Sequence, residues 1–112
     1  MSNYEVPPEH ELDTLTELRG IERGLWEVKT LNSVHLFDLD NQTVTRVPGP
    51  NSRPGINDVP REIRSIEKCV VGRSGYWTMY PERYREEVDF YWQWSTPIAS
   101  ITLLRETART DE

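Results

Sequence analysis

The chain reads as mainly β: a single small antiparallel sheet, barrel or sandwich of about five to seven strands, preceded by a short N-terminal helix or acidic tail. Three observations predict this. Apolar and polar residues alternate with a period of two in several segments, the signature of a half-buried strand. Between residues 25 and 48, two short loops join three strands of similar length, which indicates an antiparallel meander. The length of 112 residues fits one domain with a core of its own.

The elements follow in order. Residues 1–11 are polar, contain Pro7-Pro8 and read as an extended or disordered lead. In D-T-L-T-E-L-R-G, Thr14 and Glu17 match a capping box, Leu12, Leu15 and Leu18 recur at a spacing of three, and Gly20 supplies a stop. This predicts one or two helical turns, with a flexible acidic tail as the alternative. In L-W-E-V-K-T, Trp26, Val28 and Thr30 alternate with Glu27 and Lys29. After the turn at Asn32-Ser33 comes V-H-L-F-D-L, then the turn D-N-Q, then the β-branched T-V-T-R-V-P. Residues 48–60 hold four prolines and two glycines, so no ladder runs through them. They form either a mobile functional loop or an ordered strap across one end of the sheet.

Beyond Pro60, a strand is expected at 65–71 and another at Y-W-T-M-Y, halted by Pro81. V-D-F-Y-W-Q-W is expected as a penultimate strand, with Val88, Phe90, Trp92 and Trp94 on the core face and Asp89, Tyr91 and Gln93 on the other. S-T-P-I-A-S-I-T-L-L is expected as the last strand, with Pro97 at its start. The domain boundaries read as 1–24 for the tail or helix, 25–105 for the β-rich body and 106–112 for a polar C-terminal tail.

Charge is unevenly placed. Residues 1–24 carry six acids against two arginines, residues 106–112 carry three acids against one arginine, and residues 25–105 balance ten acids with ten bases. The net charge of −6 therefore belongs to the ends, and the chain lacks the basic footprint of a nucleic-acid binder. Within the body, residues 46–73 hold six bases against three acids. The single Cys69 lies in an apolar run and is expected to pack as a buried, inert thiol. Unpaired cysteine usage, a start without a basic and apolar leader, and the lack of a ~20-residue apolar run lead us to expect a soluble cytoplasmic protein.

The residues do not assemble a catalytic motif. His10, His35 and Cys69 make no zinc spacing. D-L-D-N-Q-T lacks the glycine of a calcium loop and reads as a β-turn. His35 lies in a strand pattern and is expected to be a satisfied structural histidine. Glu86 and Glu87 are adjacent, so on a strand they would point to opposite faces and could not work as a carboxylate pair. No metal, cofactor or enzymatic activity is expected.

What remains is the aromatic run. Tyr76, Trp77, Tyr80, Tyr84, Phe90, Tyr91, Trp92 and Trp94 are eight of the eleven aromatics in the chain. Arginines are interleaved among them. Trp77, Tyr80, Arg83, Tyr84, Arg85 and Tyr91 form the candidate binding set, because Trp, Tyr and Arg are the residues of interface hot spots.

The strings T-L-N-S-V-H-L-F-D-L-D-N-Q-T-V-T-R-V-P-G, C-V-V-G and W-S-T-P-I-A-S-I resemble a group of small β-rich proteins of unknown function from actinobacteria and their phages. The resemblance spans roughly residues 26–101. It implies a β fold and a phage-related or accessory setting, and carries no reaction. The expectation is a non-catalytic protein-interaction module. The alternative is an aromatic and arginine surface that stacks single-stranded nucleic acid or another planar ligand.

Overall fold

The computed structural model describes residues 13–107. Seven antiparallel strands are present: β1 (Thr14–Leu15), β2 (Leu25–Thr30), β3 (Ser33–Asp38), β4 (Thr43–Pro48), β5 (Arg61–Lys68), β6 (Ser74–Met79) and β7 (Tyr91–Arg105). Their order is β1-β7-β2-β3-β4-β5-β6, and β6 pairs back onto β7. Six strands thus close a barrel, with β1 added along β7. Closure removes the exposed sheet edges that a small β domain must otherwise protect.

The meander forms as its pattern requires. Trp26, Val28 and Thr30 face the interior, opposite Phe37 and His35 of β3. Asp38 turns the chain by accepting hydrogen bonds from Asn41 N (3.2 Å) and Asn41 Nδ2 (2.9 Å), while Gln42 takes a left-handed conformation at φ 57°.

One strand replaces the two expected at the C-terminal end. β7 is 15 residues long. Its first half pairs with β6 and its second half with β2. Pro97 therefore sits inside a strand and not at its start. It is tolerated because the ladder is irregular on both sides: one extra residue falls between Trp94 and Pro97, and another at Ala99.

These bulges and the pairing with β6 reverse the expected faces. Tyr91, Gln93 and Ser95 point inward beside Met79, Trp77 and Gly75, whereas Trp92 and Trp94 are 55% and 59% exposed. Beyond Ala99 the parity changes again, so Ile98 and Ile101 both reach the core although they are three residues apart.

The N-terminal expectation is also corrected. Among the described residues there is no helix. Leu15 pairs with Ile101 and Leu18 is buried. Leu103 N donates to Asp13 O (2.8 Å), Leu18 N to Cys69 O (2.9 Å) and Val71 N to Thr16 O (2.9 Å). Leu15 and Leu18, three residues apart, serve a short strand and a plug, while Leu12 and the lead at 1–11 lie outside the described residues. Tertiary pairing satisfied the backbone groups that a capping box would have used. Residues 13–18 are thus tied to β7 and to the segment 69–71. Gly24 (φ 103°) supports this join: a side chain there would collide with Arg105 O and Leu103.

The core runs through the barrel axis. Trp77 is its centre, 1% exposed, with His35 and Phe37 meeting it edge-on at ring centroid distances of 4.9 Å. A buried Trp removes about 200 Å² from water, which stabilises the fold by about 5 kcal/mol at ~25 cal/mol per Å². Leu18, Leu39, Cys69 and Ile101 are buried with it, and partly buried Leu103 and Val71 pack against this core. Residues 49–60 lie over a polar part of the barrel, where Ser33, Arg46, Ser95 and Thr96 line the space beneath residues 49–53.

Candidate functional site: the strapped end and the aromatic face

Residues 49–60 form an ordered strap. β4 and β5 share only two register pairs, Thr43–Glu62 and Val44–Arg61, and then diverge around the prolines. The strap occupies the gap and takes over the lost hydrogen bonds. Arg46 N donates to Asn57 O (2.7 Å), Gly49 N to Asn32 O (3.1 Å) and Ser52 Oγ to the same Asn32 O (3.1 Å). Asp58 accepts from Arg46 Nη1 (2.9 Å) and Gly55 N (2.8 Å). The Arg46–Asp58 ion pair is largely shielded from solvent, so it is stronger than a surface pair and costly to break from one side.

Polar groups line the barrel interior beneath the strap. His35 is fully buried, with Nε2 3.2 Å from Ser33 Oγ and Nδ1 without a partner. The expected satisfied histidine is therefore satisfied on one nitrogen only. Burial, reinforced by the Arg46 charge and partly opposed by Asp58, lowers its pKa to about 4, so the ring is neutral near pH 7. Asn57 Oδ1 and Thr96 Oγ1 are likewise buried and unpartnered. All three such atoms among the described residues lie at this end of the barrel.

Two hollows of about 540 and 460 Å³ flank the strap and share Arg46, Arg53 and Gln93. The first is lined by Ser33, Ser52, Ser95, Thr96 and Trp94, the second by Ile56, Asn57, Phe90, Tyr91 and Trp92.

Beside the second hollow, Tyr91 is 9% exposed and points inward. Its hydroxyl donates to Glu82 Oε1 (2.6 Å), and the Arg61 guanidinium lies 4.6 Å from its ring centroid while pairing with Glu82. The hydroxyl donation, together with Arg61, holds the Glu82 carboxyl down at about 2, and the same hydrogen bond raises Tyr91. Arg61 also donates to Ile56 O, tying this network to the strap.

The aromatic face lies outside the barrel, on β5, β6 and β7. Trp94 is opposite Tyr76, with ring centroids 4.6 Å apart, and Trp92 is opposite Thr78. Thr78 is covered: its Oγ1 is 2.6 Å from Ser65 Oγ and accepts from Arg64 Nη1 (3.3 Å). The Arg64 guanidinium lies 4.4 Å from the Phe90 centroid, and Lys68 pairs with Tyr76. The face therefore alternates indole, phenol and cationic groups.

The residues expected to bind are dispersed. Trp77 is core and Tyr91 is interior, so neither is available to a partner on the outside. Tyr80 and Tyr84 are exposed at and beyond the end of β6, and Arg83 and Arg85 accompany them, Arg85 pairing with Glu87 at 3.1 Å. The two residues that dominate the exposed face are Trp92 and Trp94, which the alternation predicts to be core. Alternation alone could not have corrected this, because both faces of V-D-F-Y-W-Q-W carry aromatics.

Cys69 is buried and unpaired, and burial pushes its thiol up to about 12. Among the described residues no group of three His, Cys, Asp or Glu side chains is placed to hold a metal ion. No helix among them is long and apolar enough to cross a membrane. No family model, curated protein or solved structure matches this chain.

Proposed function

We propose that this chain is a non-catalytic module that binds a protein partner through the outer face of β5, β6 and β7. One observation carries the reading: Trp92 and Trp94 stand on the same strand face, more than half exposed, with Tyr76 packed against Trp94. Leaving two adjacent indoles in water forgoes burial that a domain this small needs, which favours a role for them outside the fold. Trp, Tyr and Arg are the groups that anchor protein interfaces, and Arg64 borders this set. Supporting the non-catalytic reading, His35 is enclosed and neutral, and Cys69 is held as a thiol. The resemblance noted over roughly residues 26–101 suggests a phage-related or accessory setting.

Capture from a host lysate tests it. A partner retained by the wild type and by Tyr84→Ala, and lost with Trp92→Ala/Trp94→Ala, is the expected result. Identical partner lists for all three proteins would remove the basis of the proposal.

A second reading has its own support. Trp92 and Trp94 are two residues apart on one face, about 7 Å along the strand, with Arg64 and Lys68 alongside, which suits stacking of single-stranded bases. The net charge of −6 opposes it. Fluorescence titration with oligodeoxythymidine at two salt concentrations separates the two, since nucleic-acid binding weakens steeply with salt.

A further inference from the structure

The outer face of β5, β6 and β7 is patterned about its own centre. Thr78 is that centre, with Ser65 of β5 and Trp92 of β7 as its register partners. Toward one end of the face, Tyr76 lies between Lys68 and Trp94. Toward the other, Tyr80 N donates to Glu62 O (2.9 Å), and Tyr80 and Phe90 each stand one residue beyond the last β6–β7 pair, Met79–Tyr91. The aromatics are thus symmetric about Thr78 and Trp92: Tyr76 with Trp94 at one end, Tyr80 with Phe90 at the other. The charges on β5 are antisymmetric about Ser65, with Lys68 at one end and Glu62 at the other. Two register shifts, one on each side of Ser65, bring all three residues to one face despite a spacing of three. Glu62 and Lys68 are exposed, and no ion pair among the described residues includes either.

A face of this kind is complementary to itself. Turned over about a two-fold axis that runs across the strands, each strand lies antiparallel on its own copy. Lys68 then meets Glu62 of the second copy, and the pair forms twice. Trp92 meets Trp92 at the axis, Tyr76 meets Tyr80, and Trp94 meets Phe90. The Arg64 guanidinium, already 4.4 Å from the Phe90 centroid, is enclosed between that ring and the facing indole. Aligned sheets cross at about 30°, and a lysine side chain spans the ~5 Å offset this leaves at the strand ends. The exposed surface of these aromatics with Glu62, Arg64 and Lys68 comes to roughly 700 Å² per copy, close to the ~800 Å² each partner contributes to a stable interface. Net charge does not oppose the contact, because the −6 resides in residues 1–24 and 106–112 while residues 25–105 are balanced.

We propose that the protein partner is a second copy of this chain, an assignment that rests on the protein-binding reading, and that the two outer faces pack about this axis. An unrelated partner would have to supply an acid and a base at the mirrored positions; a second copy carries them by symmetry. In a host lysate, the protein captured through Trp92 and Trp94 is then the host's own untagged copy.

The test is sedimentation equilibrium of the full chain over roughly 5–200 µM, a range that brackets the micromolar affinity expected of an interface this small. The wild type should reach twice the 13.2 kDa mass of one chain. Trp92→Ala/Trp94→Ala should stay at the single-chain mass. Lys68→Glu and Glu62→Lys should each raise the dissociation constant about tenfold or more, because each turns both cross-copy pairs into repulsions. An equimolar mixture of those two variants should associate as the wild type does, since one copy then supplies both acids and the other both bases. The double variant Glu62→Lys/Lys68→Glu should regain association alone. An unfolded variant could do neither, so the rescue separates the interface from stability.

A wild type that stays at the single-chain mass throughout, a dimer that survives Trp92→Ala/Trp94→Ala, or a mixture of Lys68→Glu with Glu62→Lys that does not associate would overturn the two-fold pairing. If the wild type is monomeric and lysate capture of a different protein still depends on Trp92 and Trp94, the protein-binding reading stands and only the second copy falls. A monomer with no such capture, and with salt-sensitive quenching by oligodeoxythymidine, removes both.

Discussion

Acid should unfold this barrel from the inside, beginning at His35. Its ring is enclosed between β2, β4 and Trp77, and its pKa is lowered from 6.5 to about 4, chiefly by burial and then by Arg46. The folded-state pKa lies below the unfolded one, so the unfolded chain takes the proton first. The stabilisation is full above about pH 6.5 and is lost as the pH falls toward 4. A shift of this size corresponds to about 3 kcal/mol at ~1.36 kcal/mol per pK unit, of which about 2 kcal/mol disappears between roughly pH 7 and 4.5. With a urea slope of about 1.5 kcal/mol per M, the unfolding midpoint should drop by about 1–2 M over that interval, followed by tryptophan fluorescence. His35→Gln should start less stable and lose this dependence. Glu82 does not confuse the window: its pKa is lowered from 4.5 to about 2, so its contribution is present above 4.5 and fades only below it. A midpoint that stays constant between pH 7 and 4.5, or an unchanged slope in His35→Gln, would refute the reasoning.

Two further outcomes test the placement of side chains. Trp77→Ala should cost about 3–5 kcal/mol or prevent folding, because it empties the centre of the core, whereas Trp92→Ala should change stability by under about 1 kcal/mol; similar losses in urea unfolding would contradict the assigned faces of β6 and β7. Cys69 should resist an aromatic disulfide reagent for hours in the native protein and react within minutes in denaturant, since its thiol is buried and held near 12; rapid native labelling would show that this end of the barrel opens.

Much of the fold is legible residue by residue. Trp26, Val28 and Thr30 alternate cleanly against charged neighbours, and Asp38 with Asn41 encodes its own turn, so β2 to β4 follow from local chemistry. Prolines at 48, 50, 54 and 60 rule out a ladder there, although whether the segment would float or bind down depended on Asn57 and Asp58 finding partners from distant strands. The candidate site was far less legible. Of the six residues expected to bind, Trp77 and Tyr91 face inward, and the exposed indoles are two that the pattern placed in the core.

The sequence by itself determined where β2, β3 and β4 begin and end, that they are antiparallel, and that Cys69 would pack as an apolar group, because turns, alternation and proline act over a few residues. Only the tertiary structure decided which face of 91–95 is the inside, that residues 13–18 close one end, and that Asn57 would keep an unpaired oxygen beside Arg53. Alternation fixes the relative phase of neighbouring side chains and leaves the absolute phase open. That phase is set by register against a partner strand, and each extra residue in β7 reverses it.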